Sequence, residues 1–324
     1  MNWNSMKRCP SNPILTRKDI PPVSVNTTDV TSVFNPGAIK IGERYFLLLR
    51  VQTRGRETIL MVAESESGQE FRVQPRIVNI GGIEKIRQKI YHIYDPRLTQ
   101  IDDWIYAMFA ADTDAGCRLG IARTRDMGEF ELVSFGGDTD TRNGVLFPER
   151  RDGHFLRLER PNQTRLAGGV ASGSEIILSQ SPDLITWQPI GPVMAGRFHY
   201  WDELLGSGPP PVKTPEGWLH VYHGVATHFS SINIYQAGVV LLDLDDPRRV
   251  IARSRNNILE PREPYELTGQ VPNVVFPSGM IVEEYDSDGF AKPDSLVRVY
   301  YGAADTVVCL ATTTINDLLR ATRE

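Results

Sequence analysis

The sequence predicts an all-β fold: a five-bladed β-propeller with short helical segments and a short C-terminal helix, in one domain spanning 1–324. Three observations predict it. A short, aromatic-rich apolar strand recurs five times. Each copy is preceded by a turn-led strand and followed by a further apolar segment. The chain also carries 27 Gly and 22 Pro, which punctuate many short elements rather than a few long helices.

The recurring strand is YFLLLRVQ (45–52), WIYAMFAAD (104–112), FLRLERP (155–161), WLHVYHGV (218–225) and RVYYGAAD (298–305), with starts separated by 59, 51, 63 and 80 residues. The last interval holds a turn-rich acidic insertion, EEYDSDGFAKPDS. The turn-led strands begin at Asn35, Asp95, Asn143, Gly208 and the Pro272–Asn273 pair, and the gaps GER, DDW, RDG and PEG read as hairpin turns. Four of the following segments run into polar turns, and the fifth, VVCLATTTINDLL, runs into the C-terminal residues. Such units bury both sheet faces only by packing radially against neighbours. A β-sandwich or a pair of small barrels is the alternative; a period near 60 residues favours the propeller. Helical signal is confined to IEKIRQKIYHIY (83–94), room for a turn or two, and INDLLRATRE (315–324).

Composition narrows the function. Hydrophobic residues are 41% and charged residues 23%, an ordinary globular balance. Lys+Arg is 35 against Asp+Glu 40, a net charge of -5, so general nucleic-acid or anionic-membrane binding is a poor fit. Cys9, Cys117 and Cys309 are scattered and odd in number, which argues against a disulfide framework or a cysteine zinc site. MNWNSMKRCPSNPIL lacks the apolar run of a signal peptide, and nothing approaches ~18 consecutive apolar residues. The expectation is a soluble, cytoplasmic protein. No HExxH, EF-hand loop, Walker loop or GxSxG elbow is present, so neither a metal nor an organic cofactor is expected.

In a propeller the innermost strands line a central channel, so polar residues far apart in sequence converge at its mouth. Asp95, in IYHIYDPRLT, heads one such strand; Asp before Pro is often only a turn former, but a partly desolvated carboxyl there suits a general acid. Arg142 and Arg160 border the third unit's inner strands and can present two guanidinium forks to one phosphate or carboxylate, although an isolated arginine is more often an interblade ion pair. Lys213 lies in PPPVKTPEGW. His220 and His223, three apart on a strand, face opposite ways and are no chelating pair, and Tyr222 alternates with His223. A lone histidine in an apolar strand is usually a core residue.

Taken together, YDPRLT, RNGVLFPER with RLERP, GPPPVKTPEGWLHVYHGV, PREPYE with GQVPNVVFPSG, and VYYGAADT resemble glycoside hydrolase family 130, from about SNPIL (11–15) to the C-terminus. That resemblance implies a five-bladed propeller and inverting β-mannoside phosphorylase or β-mannosidase activity. It implies Asp95 as general acid, relaying its proton through the mannose 3-hydroxyl. It implies Arg142, Arg160, Lys213 and His223 as the phosphate cradle, with Lys213 at a position that is acidic in other members. It implies Asn35, Arg50, Gln52, Asn143, Tyr222 and Asp305 as sugar contacts; Gln52 stands where some members carry an aspartate. The partners implied are a β-mannoside and inorganic phosphate, a co-substrate rather than a cofactor, with a homo-oligomer as the expected assembly.

A phosphorolytic enzyme needs only one prominent carboxylate, because phosphate is itself an anionic nucleophile, whereas an inverting hydrolase also needs a base to activate water. Glu149 and Glu175 keep the hydrolase reading open, and a non-catalytic carbohydrate-binding propeller is the third reading. Loops 79–93, 162–174, 194–207 and 226–236 are the candidates for acceptor recognition, with His199, Tyr200, Trp201, His228, Phe229 and Tyr235 able to stack on a sugar or to make interblade or subunit contacts.

Overall fold

The computed structural model describes residues 6–137, 139–162, 175–227 and 233–324. They form five sheets in sequence order, the blades of a five-bladed propeller, antiparallel except where Ile80–Gly81 pairs parallel with Phe130–Phe135 at the edge of blade two. The innermost strands are Gly37–Ile41, Ile90–Ile101, Thr141–Leu146, the interrupted pair Leu204–Ser207 and Val212–Thr214, and Val275–Val282. The five apolar repeats are the second strands: Arg44–Gln52, Trp104–Thr113, Phe155–Pro161, Gly217–Ala226 and Leu296–Ala303.

These second strands are apolar on both faces because each face meets a different neighbour. Leu47, Leu49 and Val51 pack with Tyr300, Val308 and Leu310 of blade five. The alternate residues Phe46 and Leu48 pack with Ala107, Phe109 and Ala122 of blade two. In blade two, Ala107 and Phe109 face blade one, whereas Tyr106 and Met108 face Leu146 and Phe155 of blade three. The core is therefore distributed over the seams between blades. The inner hairpins are tight: Ile41 pairs with Arg44 across Gly42 at φ 58°, and Ile101 with Trp104 across Asp102 at φ 54°. Positive φ in a two-residue loop matches the twist of the flanking strands.

Two expectations change. Residues 83–94 hold a single 3-10 turn, Ile83–Lys85, and then enter the strand Ile90–Ile101. Asp95 therefore sits within that strand rather than at its head. The single turn Pro264–Leu267 was not anticipated; proline suits its first position, and Glu266 is buried within it. The C-terminal helix forms over Ile315–Ala321, with the Thr314 hydroxyl accepting from the Asp317 amide at 3.1 Å. The three cysteines are buried and free. Among the described residues no helix is long and apolar enough to cross a membrane.

The ring is closed by residues from both ends of the chain. Lys7–Arg8 adds to blade five by pairing with Val307–Thr314. Arg8 donates two bonds to the buried Glu266, at 2.8 and 2.9 Å, and Asn12 bonds both the carbonyl and the amide of Leu310. Burial alone would raise the Glu266 pKa, but Arg8 and the Arg262 and Glu263 amides outweigh it and hold the carboxyl below its usual range.

Candidate active site

Three inner strands bring polar residues to one end of the channel. Blade two's inner strand carries a β-bulge between Tyr94 and Arg97, and blade three's carries one between Arg142 and Val145. Asp95 and Asn143 sit in these bulges at φ 54° and 52°, a left-handed conformation that Asp and Asn tolerate better than most residues. Pro96 has no N–H to give the ladder, which helps to end the pairing there. Asn273, Ala304 and Asp305 also have positive φ, so strained backbone gathers around this mouth.

The bulges aim Asp95 between two amides. Asn35 Nδ2 donates to Oδ1 at 3.2 Å, and Asn143 Nδ2 donates to Oδ2 at 3.4 Å. Arg50 Nη1 lies 3.7 Å from Oδ1. The Arg50 guanidinium is itself sandwiched, 4.2 Å from the Phe34 ring centroid and 5.1 Å from that of Tyr94. Above this group opens a cleft of about 330 Å³ lined by Asn35, Arg50, His92, Tyr94, Asp95, Asp112, Arg142, Tyr235, Val271, Val274, Phe276 and Asp305. The lining mixes apolar and aromatic side chains with ionic ones.

Arg142 and Arg160 are directly opposed across neighbouring strands. Neither makes an ion pair or hydrogen bond among the described residues, and the Nε of each is buried. Burial, and then the neighbouring Arg142 charge, push the Arg160 guanidinium down to about 10. Two like charges held together at a partly buried site suit an anion that accepts from both forks. Tyr94 completes this wall by donating to Asp112 Oδ1 at 2.7 Å.

A family model described as beta-1,4-mannooligosaccharide phosphorylase matches residues 5–324. The chain belongs to glycoside hydrolase family 130. Its enzyme class is a glycoside phosphorylase, as the family model's description and the relatives' names support. It is 30% identical to the beta-1,4-mannooligosaccharide phosphorylase of Ruminococcus albus, over 96% of this chain and 89% of that one. It is 32% identical to the 4-O-beta-D-mannosyl-D-glucose phosphorylase of Bacteroides fragilis, over 92% and 77%. The Listeria innocua beta-1,2-mannobiose phosphorylase, solved with beta-1,2-mannobiose, superposes with a TM-score of 0.83 at 26% identity over 100% and 99% of the two chains.

Not every residue expected from the family 130 resemblance converges on the cleft. Asn35, Arg50, Asp95, Arg142 and Asp305 line it, and Asn143 holds the Asp95 carboxyl from beside it. Arg160 lies behind Arg142. Lys213 does not join them. It follows the Pro209–Pro211 run on the second piece of blade four's inner strand, towards the Thr214–Gly217 hairpin. It lines a separate cavity with Lys40, Gln100 and Glu149, at the hairpin ends of the inner strands, where it donates to Glu149 at 2.9 Å. This pairing also takes Glu149 out of contention as a water-activating base. Glu175 begins the strand Glu175–Ser181, opposite Ala195.

His223 is fully buried, with its ring centroid 4.4 Å from that of Phe276. Burial, then the charges of Arg160 and Arg97, hold its pKa well below the ordinary histidine value. It therefore stands beside the arginines as a neutral imidazole, and the expected four-cation cradle reduces to two guanidinium groups. Tyr222 is not a sugar contact: it points into the seam between blades three and four, where its hydroxyl donates to Asp202 at 2.7 Å. The period-two alternation that turns His223 to the channel turns Tyr222 away. Gln52 lies beyond the cleft wall, its amide oxygen accepting from Thr31 at 3.2 Å. His199, Tyr200 and Trp201 form a loop tied down by Arg197, which donates to Asp202 at 2.8 and 2.7 Å. His228 and Phe229 lie outside the described residues.

Sequence reasoning missed Asp112, Val271, Val274 and Phe276. A signal existed for all four: Asp112 ends an apolar repeat directly opposite His92, and Val271, Val274 and Phe276 stand inside the quoted GQVPNVVFPSG motif.

Asp305 brings a third carboxyl to the cleft, after Asp95 and Asp112. Burial raises its pKa; Arg50 lowers it and Asp95 raises it further, leaving it at about 6. A raised pKa means that its favourable contribution to folding is complete below the unfolded value and is lost as pH rises through about 6. Asp305→Asn, which cannot ionise, is therefore expected to gain roughly 1–3 kcal/mol over the parent protein between pH 4 and pH 8. Urea unfolding at the two pH values checks this; an unchanged gap overturns it.

Proposed function

We propose that this chain is an inverting β-mannoside phosphorylase, releasing α-mannose 1-phosphate and a shortened sugar. The observation that carries the reading is the pairing of Arg142, which lines the cleft that holds Asp95, with Arg160 on the adjacent strand. In this reading the two guanidinium groups and the neutral His223 hold phosphate against the face of the mannosyl ring opposite the leaving group. A phosphate oxygen forms the bond to C1 as the C1–glycosidic oxygen bond breaks. Asp95 supplies the proton to that departing oxygen, relayed through the mannose 3-hydroxyl, and the single displacement inverts C1. Arg50, Asn35 and Asp305 hold the mannosyl unit, and Asn35 and Asn143 fix the carboxyl. The reaction uses no metal or organic cofactor. The names of the relatives, which include β-1,4 and β-1,2 phosphorylases, support a β-mannosidic substrate.

A water-using reading draws on Asp112 and Asp305, which line the same cleft. The decisive measurement is cleavage of β-1,4- and β-1,2-mannobiose with and without inorganic phosphate, with the products identified. Phosphate-dependent formation of α-mannose 1-phosphate is expected. Free mannose at equal rates with and without phosphate overturns the proposal. Reverse phosphorolysis against a panel of acceptors then reads out the linkage.

A further inference from the structure

Arg97 lies two residues beyond the acid and is almost wholly buried, at 1% exposure. Among the described residues no carboxylate oxygen lies within ion-pair distance of it. Instead its guanidinium donates to three backbone carbonyls. Nη1 reaches back to Asp95 O at 3.0 Å, Nη2 to Ser207 O at 2.7 Å and Nε to Gly208 O at 2.8 Å. Both groups of acceptors belong to interrupted strands. Asp95 lies in the bulge of blade two at positive φ. Ser207 and Gly208 lie where blade four's inner strand breaks before three consecutive prolines, residues without N–H groups to offer.

The same segment of blade four borders the arginine side of the cleft. Gly206 pairs with His223, and a Cβ on Gly206 would lie 2.5 Å from Asn143 Oδ1 and 2.6 Å from the His223 ring. A single planar fork thus links the backbone of the acid to the strand against which Asn143 and His223 pack. A buried cation is costly, and a purely structural link between two strands is supplied more cheaply by neutral groups. Burial presses the Arg97 pKa down, with Asp95 pulling it up. The Arg97 charge in turn helps to keep His223 and His220 neutral.

We infer that Arg97 is a positioning residue: it sets the Asp95 carboxyl relative to the anion-binding wall by bracing the bulge of blade two against the broken strand of blade four. The inference rests on Asp95 acting as the general acid. Loss of the brace should damage proton delivery more than phosphate binding. Arg97→Lys keeps the charge but replaces the fork with one nitrogen, and Arg97→Met removes both.

The test uses two substrates with the full-length protein. β-Mannobiose has a poor leaving group that needs the acid, whereas 2,4-dinitrophenyl β-mannoside departs without protonation. For Arg97→Lys, kcat on β-mannobiose is expected to fall at least ~10-fold, with the KM for phosphate within about twofold of the parent, and the activated mannoside to be cleaved within about threefold of the parent rate. Arg97→Met should give the same pattern with a larger fall. Equal losses on both substrates, or no loss on either, overturn the inference. Should Arg97→Met fail to fold, the Lys variant decides alone. If the parent protein forms no mannose 1-phosphate, it is the functional reading that falls, and that control is read before any variant.

Discussion

Asp95→Asn is expected to lower turnover of β-mannobiose by about 10²–10⁴-fold, the usual contribution of a placed general acid. The loss has two parts. Asparagine carries no transferable proton at neutral pH. It also disrupts the carboxyl's setting, because Asn35 and Asn143 both present N–H donors to Asp95, one to each oxygen. An amide accepts from only one of them, leaving the other donor facing an NH2 group. Arg50 loses its closest carboxylate as well. Phosphate affinity should not weaken, since removing an anion from an anion-binding cleft favours phosphate. Steady-state kinetics with quantified mannose 1-phosphate checks this. A variant retaining more than a tenth of the parental kcat would exclude Asp95 as the acid.

The arginine pair gives the second large effect. Arg142→Met and Arg160→Met are each expected to raise the KM for phosphate by ~10–100-fold, the range of a lost charge-assisted bond at a partly buried site. Stability should move the other way. The two guanidinium groups stand opposite each other across the strand pair, and Arg160 is already pressed down to about 10 by burial and by its neighbour. Like charges in that register repel, so removing Arg142 relieves Arg160, and removing Arg160 takes away the strained member while Asp112 and Asp95 go on supporting the Arg142 charge. Thermal unfolding should therefore show an unchanged or raised Tm together with the loss of affinity. A lowered Tm in both variants would instead give the two side chains a structural role and overturn the prediction.

The fold was largely legible because its strongest signal is repetitive. A strand such as YFLLLRVQ, apolar on consecutive residues, has to be covered on both faces, and radial packing does this five times over. The site was legible where register is local: Arg142 and Arg160 lie on adjacent strands joined by one hairpin, so their meeting follows from spacing alone. It failed where an irregularity intervenes. The break between Ser207 and Val212 puts Lys213 at the hairpin end of blade four, a displacement that no periodicity encodes. The charge state of His223 depends on burial and on two arginines from elsewhere in the chain. Over residues 83–94 the apolar spacing fits two periods: one helical turn forms at Ile83–Lys85, and strand geometry takes over from Ile90 through His92 and Tyr94.

The clasp between Lys7–Arg8 and blade five also has a meaning in time. The strand that completes blade five is made long before its partner, Val307–Thr314. Blades one to four can assemble in order as the polypeptide emerges, but the fifth waits for residues some three hundred positions apart to meet. The cleft shares this dependence, because Asn35 and Arg50 stand on one side of the final seam and Phe276 and Asp305 on the other. The cleft is thus completed only when blade five closes, and a nascent chain that already holds Asp95 and the arginine pair still lacks part of the cleft lining.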